Sequence, residues 1–484
     1  MECRLLSPWD QIAPRAYIRL WYCFPHHQIG SLDEVKEKLV LALAGLSRHF
    51  PDLKRRIFLL SSKPGHLAIG LSDDTDIPLK VSDERDSFSW TYSQLKSQGF
   101  PAKAFVGDSF DPSYRLIEGE QGIPIFEINV RLIEGGLLLG IYGHHSIFDA
   151  GRMHTIIKSF AELSKDPTRK LDIATTTDLN RQSQVAGFDL TPIQPAPSFN
   201  ELVSHCVEYC LLSSPLGPTQ FRVPKPGMPS NRTENTGRIF VIQDQVLNDL
   251  KKKLAHTTSI DSQKHQPSTY TCLAALTWAH VTKARLSGTL SPSSSLSDRA
   301  RLMISVDWRQ RVAMDTMSPN AGNTIALPIA SVSISTILAA CNDDQDVACT
   351  ALKTITRAVD ETILSVNNDF VSLRTALFRA CPDPRLIGLD FDLCDPRDFY
   401  FNTWRHFGTQ TSWELPGLMS KDSTGAFAPD AVRRAQAGFT DGAGLVLPAS
   451  DSAKFETLIT LDVDSMSRLC ADSNWERWID HTVR

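Results

Sequence analysis

Between residues 123 and 163 the spacing of apolar side chains changes twice. Phe126, Ile128, Val130 and Leu132 alternate with Glu127, Asn129 and Arg131, and a period of two is that of a strand whose successive side chains point to opposite faces. Glu134-Gly135-Gly136 supplies a turn. Residues 137–142 are then continuously apolar, as in a buried return strand, and after Asp149 the residues Met153, Ile156, Ile157, Phe160 and Leu163 recur at helical spacing. The pattern predicts strand, turn, strand and helix, with residues 143–149 at the junction of the second strand and the helix.

The same reading extends along the chain. Residues 16–24 form an apolar, aromatic run that predicts a buried strand. Ser31-Leu32-Asp33-Glu34 has capping-box spacing ahead of Val35, Leu39, Leu43 and Leu46, and Pro51 stops that helix. Residues 55–82 predict short strands, with turns at Pro64-Gly65 and at 72–74, whereas 83–122 carry little chemistry to name. From 165 to 235 the chain is rich in Ser, Thr, Pro, Gln and Asn. It holds one helix candidate at 199–212, after which Pro215, Pro218, Pro224, Pro226 and Pro229 impose an extended or looped path. Beyond it the pattern predicts a strand at 239–242, a helix at 246–254, and a small-residue helix capped at Ser268 or Thr269 and ending near Arg285. A strand at 303–311 precedes a turn at Asn320-Ala321-Gly322-Asn323. A strand at 455–461 follows.

A chain of 484 residues can bury two cores. The expected division is residues 1–180, a crossover linker at 181–235, and residues 236–484. With 42% apolar and 22% charged residues the composition is that of a soluble globular protein. The net charge of -5 lacks a concentrated basic block, and Lys251-Lys252-Lys253 reads as a solvated helix face, so nucleic acid is not an expected partner. Ten cysteines are scattered without C-x-x-C pairs or metal-ligand spacing, as suits reduced thiols in the cytoplasm. The N-terminus lacks a secretory apolar core and no apolar run has the length of a membrane span. Without secretion, the sequon Asn231-Arg232-Thr233 is inert.

Chemistry concentrates at Gly143-His144-His145-Ser146-Ile147-Phe148-Asp149-Ala150-Gly151, where two adjacent histidines leave a strand just as the chain turns towards a helix. This stretch resembles the H-H-x-x-x-D signature of the BAHD acyltransferases, which carnitine acyltransferases and peptide-synthetase condensation domains share. The resemblance runs from end to end. Leu6-Ser7-Pro8-Trp9-Asp10-Gln11 is similar to the opening of the fungal branch, which includes trichothecene acetyltransferase-like transferases. Ser268-Thr269-Tyr270 with Leu273-Ala274 and Trp278 resembles the family's helix beside the acyl-donor channel. Asp307-Trp308-Arg309-Gln310-Arg311 and Gly322-Asn323 resemble its D-x-R-x-R strand and G-N turn. Thr403-Trp404, within 401–405, resembles its [ST]-W strand, Asp441-Gly442 followed by Leu447-Pro448, within 439–448, its hairpin, and residues 465–480 its closing helix.

The resemblance implies an α/β fold of two chloramphenicol-acetyltransferase-like domains, each a mixed sheet with flanking helices, with an active-site tunnel between them. It implies an O-acyltransferase that uses acyl-CoA as co-substrate and a hydroxyl of a fungal secondary metabolite as acceptor, and that is monomeric, with no permanently bound cofactor and no metal. Acyl transfer to a hydroxyl needs a base with a pKa near the working pH and a donor for the oxyanion. His145 is the expected base. The resemblance gives Trp404 the oxyanion, pairs Arg309 with Asp149 as structural support, leaves His144 to hold the turn, and places Ser268, Thr269 and Asn323 near the donor. No G-x-S-x-G elbow is present, and no serine or cysteine nucleophile is required. One hallmark departs: where the family has D-F-G-W-G, residues 423–427 read Ser-Thr-Gly-Ala-Phe. That departure keeps open a reused fold that cyclises or rearranges a metabolite without CoA.

Overall fold

The computed structural model describes residues 3–26, 32–70, 76–112, 114–117, 122–171, 197–216, 234–257, 264–288, 298–312, 322–418 and 427–484. Ser31, the sequon at 231–233, Asn320, Ala321, most of the crossover at 181–235 and residues 423–426 lie outside them.

The predicted strand pair forms as Phe126–Ile133 and Gly136–His144, joined through Gly135 at φ 72°, a conformation open to glycine because it has no Cβ. Gly136–His144 also pairs antiparallel along its whole length with Tyr17–Pro25, from Tyr17 opposite His144 to Pro25 opposite Gly136. Every residue of Gly136–His144 is buried, which is why its sequence shows a continuous apolar run and no alternation. Trp21 lies opposite Gly140, where an added Cβ would come within 2.8 Å of the indole. The five-stranded sheet runs Ala431–Arg434, Tyr17–Pro25, Gly136–His144, Phe126–Ile133, Leu79–Asp83, and only the last pairing is parallel. The helices Leu32–His49 and Ala150–Lys165 supply Val35, Leu39, Met153, Ile156 and Phe160 to its core.

A seven-stranded mixed sheet organises the second half, in the order Ile329–Ser333, Arg299–Ile304, Asp398–Thr403, Ala443–Leu447, Lys454–Asp462, Asn235–Gln243, His481–Val483. Its central pairings through Asp398–Thr403 are parallel. The helix Thr269–Leu286 is buried almost all round, which its run of Ala, Leu and Cys permits, and it fills the second core together with Gln345–Leu364.

The halves exchange elements. Trp9, on the short helix Pro8–Ile12, packs edge-on against Phe378 at 5.0 Å in the second core, and its Nε1 donates to Thr375 Oγ1 at 2.8 Å. In return, Ala431–Arg434 forms an edge of the first sheet. The two sheets therefore do not divide at any single point in the sequence.

Three predicted elements differ from what forms. The helix candidate at 199–212 is a helix only over Phe199–His205. The chain then turns so that Glu208 meets Arg374 in a buried pair at 2.7 Å, and Tyr209–Leu211 pairs with Ile387–Leu389. The strand expected over 303–311 stops at Asp307, whose carboxylate accepts from the Arg309 backbone N–H at 2.9 Å and turns the chain. The closing helix divides at Asp472, which caps a second short helix by accepting from Asn474 N at 3.0 Å.

Candidate active site

His144 ends its strand and His145 begins the turn. The His145 backbone N–H donates to the Ala16 carbonyl at 2.7 Å, and the His144 carbonyl accepts from Ile147 N at 2.8 Å and Phe148 N at 3.0 Å. The two rings face different surroundings. His144 is fully buried, its Nδ1 accepts from Ser146 N at 3.3 Å, and its ring packs edge-on against Tyr17 at 5.2 Å. Burial, reinforced by His145 and Arg15, pushes its pKa down to about 3, so it is neutral throughout the working range. His145 borders a cavity of about 590 Å³. Its Nδ1 is buried without a hydrogen-bond partner among the described residues. Burial lowers its pKa below the ordinary histidine value, opposed by its own carbonyl, by the Asp149 charge and by Asn323.

Below the turn lies a polar floor. Asp149 is fully buried and caps the helix Ala150–Lys165, with Oδ1 accepting from Arg152 N at 3.0 Å. Its Oδ2 accepts from Arg309 Nη2 at 2.5 Å and from Thr324 N at 3.0 Å. None of these bonds goes to the His145 ring. Asn323, expected near the donor, borders the cavity, but its amide is occupied: Nδ2 donates to the His145 carbonyl at 2.8 Å and to Asp10 Oδ1 at 3.0 Å. Asp10, which the sequence reading quotes without a role, is fully buried. It also accepts from Asn323 N at 2.8 Å and from Ser7 Oγ at 2.7 Å.

The cavity is lined by both sheets: Ile18 and Arg19 from the first, Met303, Tyr400, Asn402 and Leu445 from the second. Trp404, just past the strand Asp398–Thr403, borders it, with its ring edge-on to Phe407 at 5.5 Å. Ser305 and Tyr400 share a hydroxyl contact of 2.8 Å on the same wall. Ser268 and Thr269 do not border the cavity. Ser268 caps the helix Thr269–Leu286, accepting from Thr271 N at 3.0 Å, and Thr271 Oγ1 passes the contact to Asp360 at 2.8 Å. The structure thus gathers His145, Trp404 and Asn323 at one cavity, places Asp149, Arg309 and His144 behind it, and leaves Ser268 and Thr269 outside its lining. Sequence reasoning passed over Asp10, Arg434 and Gln436. The only trace of the last two is a pair of polar residues two apart around Ala435, where the strand Ala431–Arg434 ends.

Two mixed sheets meeting at a cavity beside a histidine turn define the architecture of the BAHD-type acyltransferases. Over 100% of both chains the structure matches that of F. graminearum TRI101 complexed with coenzyme A and T-2 mycotoxin, with a TM-score of 0.73 and 17% identity. The chain belongs to the Transferase family, whose model matches residues 108–472, and the model of the Trichothecene 3-O-acetyltransferase-like N-terminal domain matches residues 16–163. Among curated relatives, an O-acetyltransferase of Penicillium ochrochloron is 22% identical over 100% of this chain and 97% of that protein. The trichothecene 8-O-acetyltransferase of Fusarium sporotrichioides is also 22% identical, over 98% and 97%.

Proposed function

We propose that this protein moves an acyl group from acyl-CoA to a hydroxyl of a fungal secondary metabolite, with His145 as the general base. The observation that carries the reading is the pair of unlike histidines: one locked and neutral behind the turn, the other bordering the cavity on a floor that fixes its backbone at Ala16 and Asn323. The likeness to fungal O-acetyltransferases supports the donor and the acceptor class.

In this reading the imidazole of His145, with its Nδ1 side turned inward, accepts the acceptor's hydroxyl proton at Nε2 as the oxygen attacks the thioester carbon. The Trp404 Nε1–H donates to the oxyanion of the tetrahedral intermediate. Collapse breaks the carbon–sulfur bond, and the thiolate of CoA takes the proton from the imidazolium. The depressed pKa of His145 keeps the base unprotonated at neutral pH. Asp149, Arg309 and Asn323 are positioning residues that hold the turn, Asn323 through the His145 carbonyl.

The test is incubation of the pure protein with acetyl-CoA and longer acyl-CoAs, with and without a fungal metabolite extract, following free thiol and acylated products together. Thiol release that depends on the extract and yields a product heavier by the acyl group is the expected result. No thiol release, together with no heat and no thermal shift from CoA or acetyl-CoA at millimolar concentration, would replace this reading with CoA-free cyclisation or rearrangement.

A further inference from the structure

Arg433 and Arg434 are neighbours on the edge strand Ala431–Arg434, so their side chains leave opposite faces. Arg433 is fully engaged: its guanidinium donates to the Phe100 carbonyl at 2.7 Å and the Gly99 carbonyl at 2.9 Å and pairs with Glu456 at 2.8 Å. Arg434 has no ion pair and no hydrogen-bond acceptor among the described residues. It borders the cavity with its guanidinium carbon 5.7 Å from the centre of the Trp404 ring. Two residues on, Gln436 borders the same cavity. It is 6% exposed, and its Nε2 is buried with no partner among the described residues. Arg19 also borders the cavity, but Asp111 at 2.5 Å and the Phe110 carbonyl at 3.1 Å hold its guanidinium. Among the described residues no aspartate or glutamate borders the cavity at all.

A half-buried guanidinium beside an unpartnered amide donor, in a cavity without an acid, is costly unless something supplies the negative charge. We propose that Arg434 and Gln436 form a subsite for a carboxylate carried by one of the two reactants next to the reacting carbon. The planar fork of arginine matches a carboxylate in two parallel hydrogen bonds, and the Trp404 face holds that fork in place. The phosphates of CoA do not fit this role, because the pantetheine arm separates them from the thioester. Arg434 lies close enough to His145 for its charge to lower the imidazole pKa. The carboxylate is carried either by the acyl group, as in a malonyl thioester, or by the acceptor. This inference rests on the acyl-transfer reading above.

Calorimetry on the full chain separates the sources. One arm compares malonyl-CoA with acetyl-CoA; the other compares 4-hydroxybenzoate with its methyl ester. The expected result is a preference of about tenfold or more for the acidic member of one pair. Arg434→Gln should abolish that preference, and Arg434→Lys should restore part of it. Thermal unfolding of both variants shows that they fold. A preference in the first pair assigns the carboxylate to the acyl group, and in the second to the acceptor. No preference in either pair, or one that survives in Arg434→Gln, overturns the subsite. Acetyl-CoA binding distinguishes the failures: if it binds without any acidic preference, only the subsite falls, whereas if no CoA ester binds, the acyl-transfer reading falls.

Discussion

Beneath the histidine turn two fully buried carboxylates, Asp10 and Asp149, are surrounded by donors: Arg309, Thr324 and Arg152 around one, Asn323 and Ser7 around the other. A few residues away, on the cavity wall, His145 Nδ1, Gln436 Nε2 and the Arg434 guanidinium have no such partners among the described residues. Saturated polar groups fix a geometry, because a buried donor or acceptor left unpaired costs about 1–3 kcal/mol. Unsaturated ones at a cavity are stable only in company with a ligand or at a cost borne by the rest of the fold. From this contrast we propose that the floor positions the site and that the wall carries chemistry and recognition.

The largest effect should come from the wall. His145→Ala is expected to lower turnover by about 10² to 10⁴-fold, as loss of a general base does, with an unchanged thermal midpoint because the ring makes no side-chain hydrogen bond that holds the fold. Near-normal turnover in a folded variant would dissolve the distinction. The floor should respond the other way. In Asp149→Asn the amide nitrogen or oxygen must face the Arg309 guanidinium and the Thr324 N–H, leaving Arg309 short of a counter-charge on this side. A loss of roughly 3–5 kcal/mol in unfolding free energy is expected, as for breaking a buried pair. Denaturant titration measures it, and a variant that unfolds like the wild type while losing turnover would move Asp149 from the floor to the reaction.

A smaller effect sharpens the wall itself. Because burial depresses the His145 pKa, the base is lost only when pH falls below the ordinary histidine value of 6.5. The acid limb of the pH profile of kcat/KM should therefore lie below pH 6.5. Since the Arg434 charge contributes to that depression, Arg434→Gln should move the limb upward. A limb at or above 6.5 in the wild type, or one that Arg434→Gln leaves in place, would show that the titrating group is not the half-buried His145.

How far the sequence foretold this arrangement follows the range of the interactions. The strands and helix around His145 were legible because their apolar spacing reflects local packing, and Gly136–His144 formed as its continuous apolar run predicts. The Asp149–Arg309 contact joins residues far apart in the chain. Only the family resemblance pointed to it, since no local pattern records a partner 160 positions away. Arg434 and Gln436 were illegible for a related reason. Alternating polar residues on an edge strand normally face water, and only the return of Ala431–Arg434 into the first sheet turns them towards a cavity. Ser268 shows the converse: its pattern marks a helix cap correctly, but a cap does not reveal what lies in front of it.

The smallest expected effect tests the quieter of the two carboxylates. Asp10 has no arginine in direct contact; its bonds come from Ser7 and Asn323, and burial outweighs them, so its pKa is raised above the ordinary 3.8. A carboxyl with a raised folded-state pKa binds its proton more tightly in the native than in the unfolded chain. Its favourable contribution is therefore fully present below pH 3.8 and is lost as pH rises through the folded value. Asp10→Asn keeps an oxygen for the two Asn323 donors and offers an N–H to Ser7 Oγ, which can accept as well as donate. At acid pH the protonated wild type and Asp10→Asn should be nearly equal in stability, and as pH rises towards neutrality the wild type should fall behind. Unfolding free energies of both proteins from pH 4 to 7 give the difference. A gap that stays constant would mean that the folded chain leaves the Asp10 pKa where the unfolded chain has it, and one that favours the wild type more strongly as pH rises would mean that the Ser7 and Asn323 donors lower that pKa against burial.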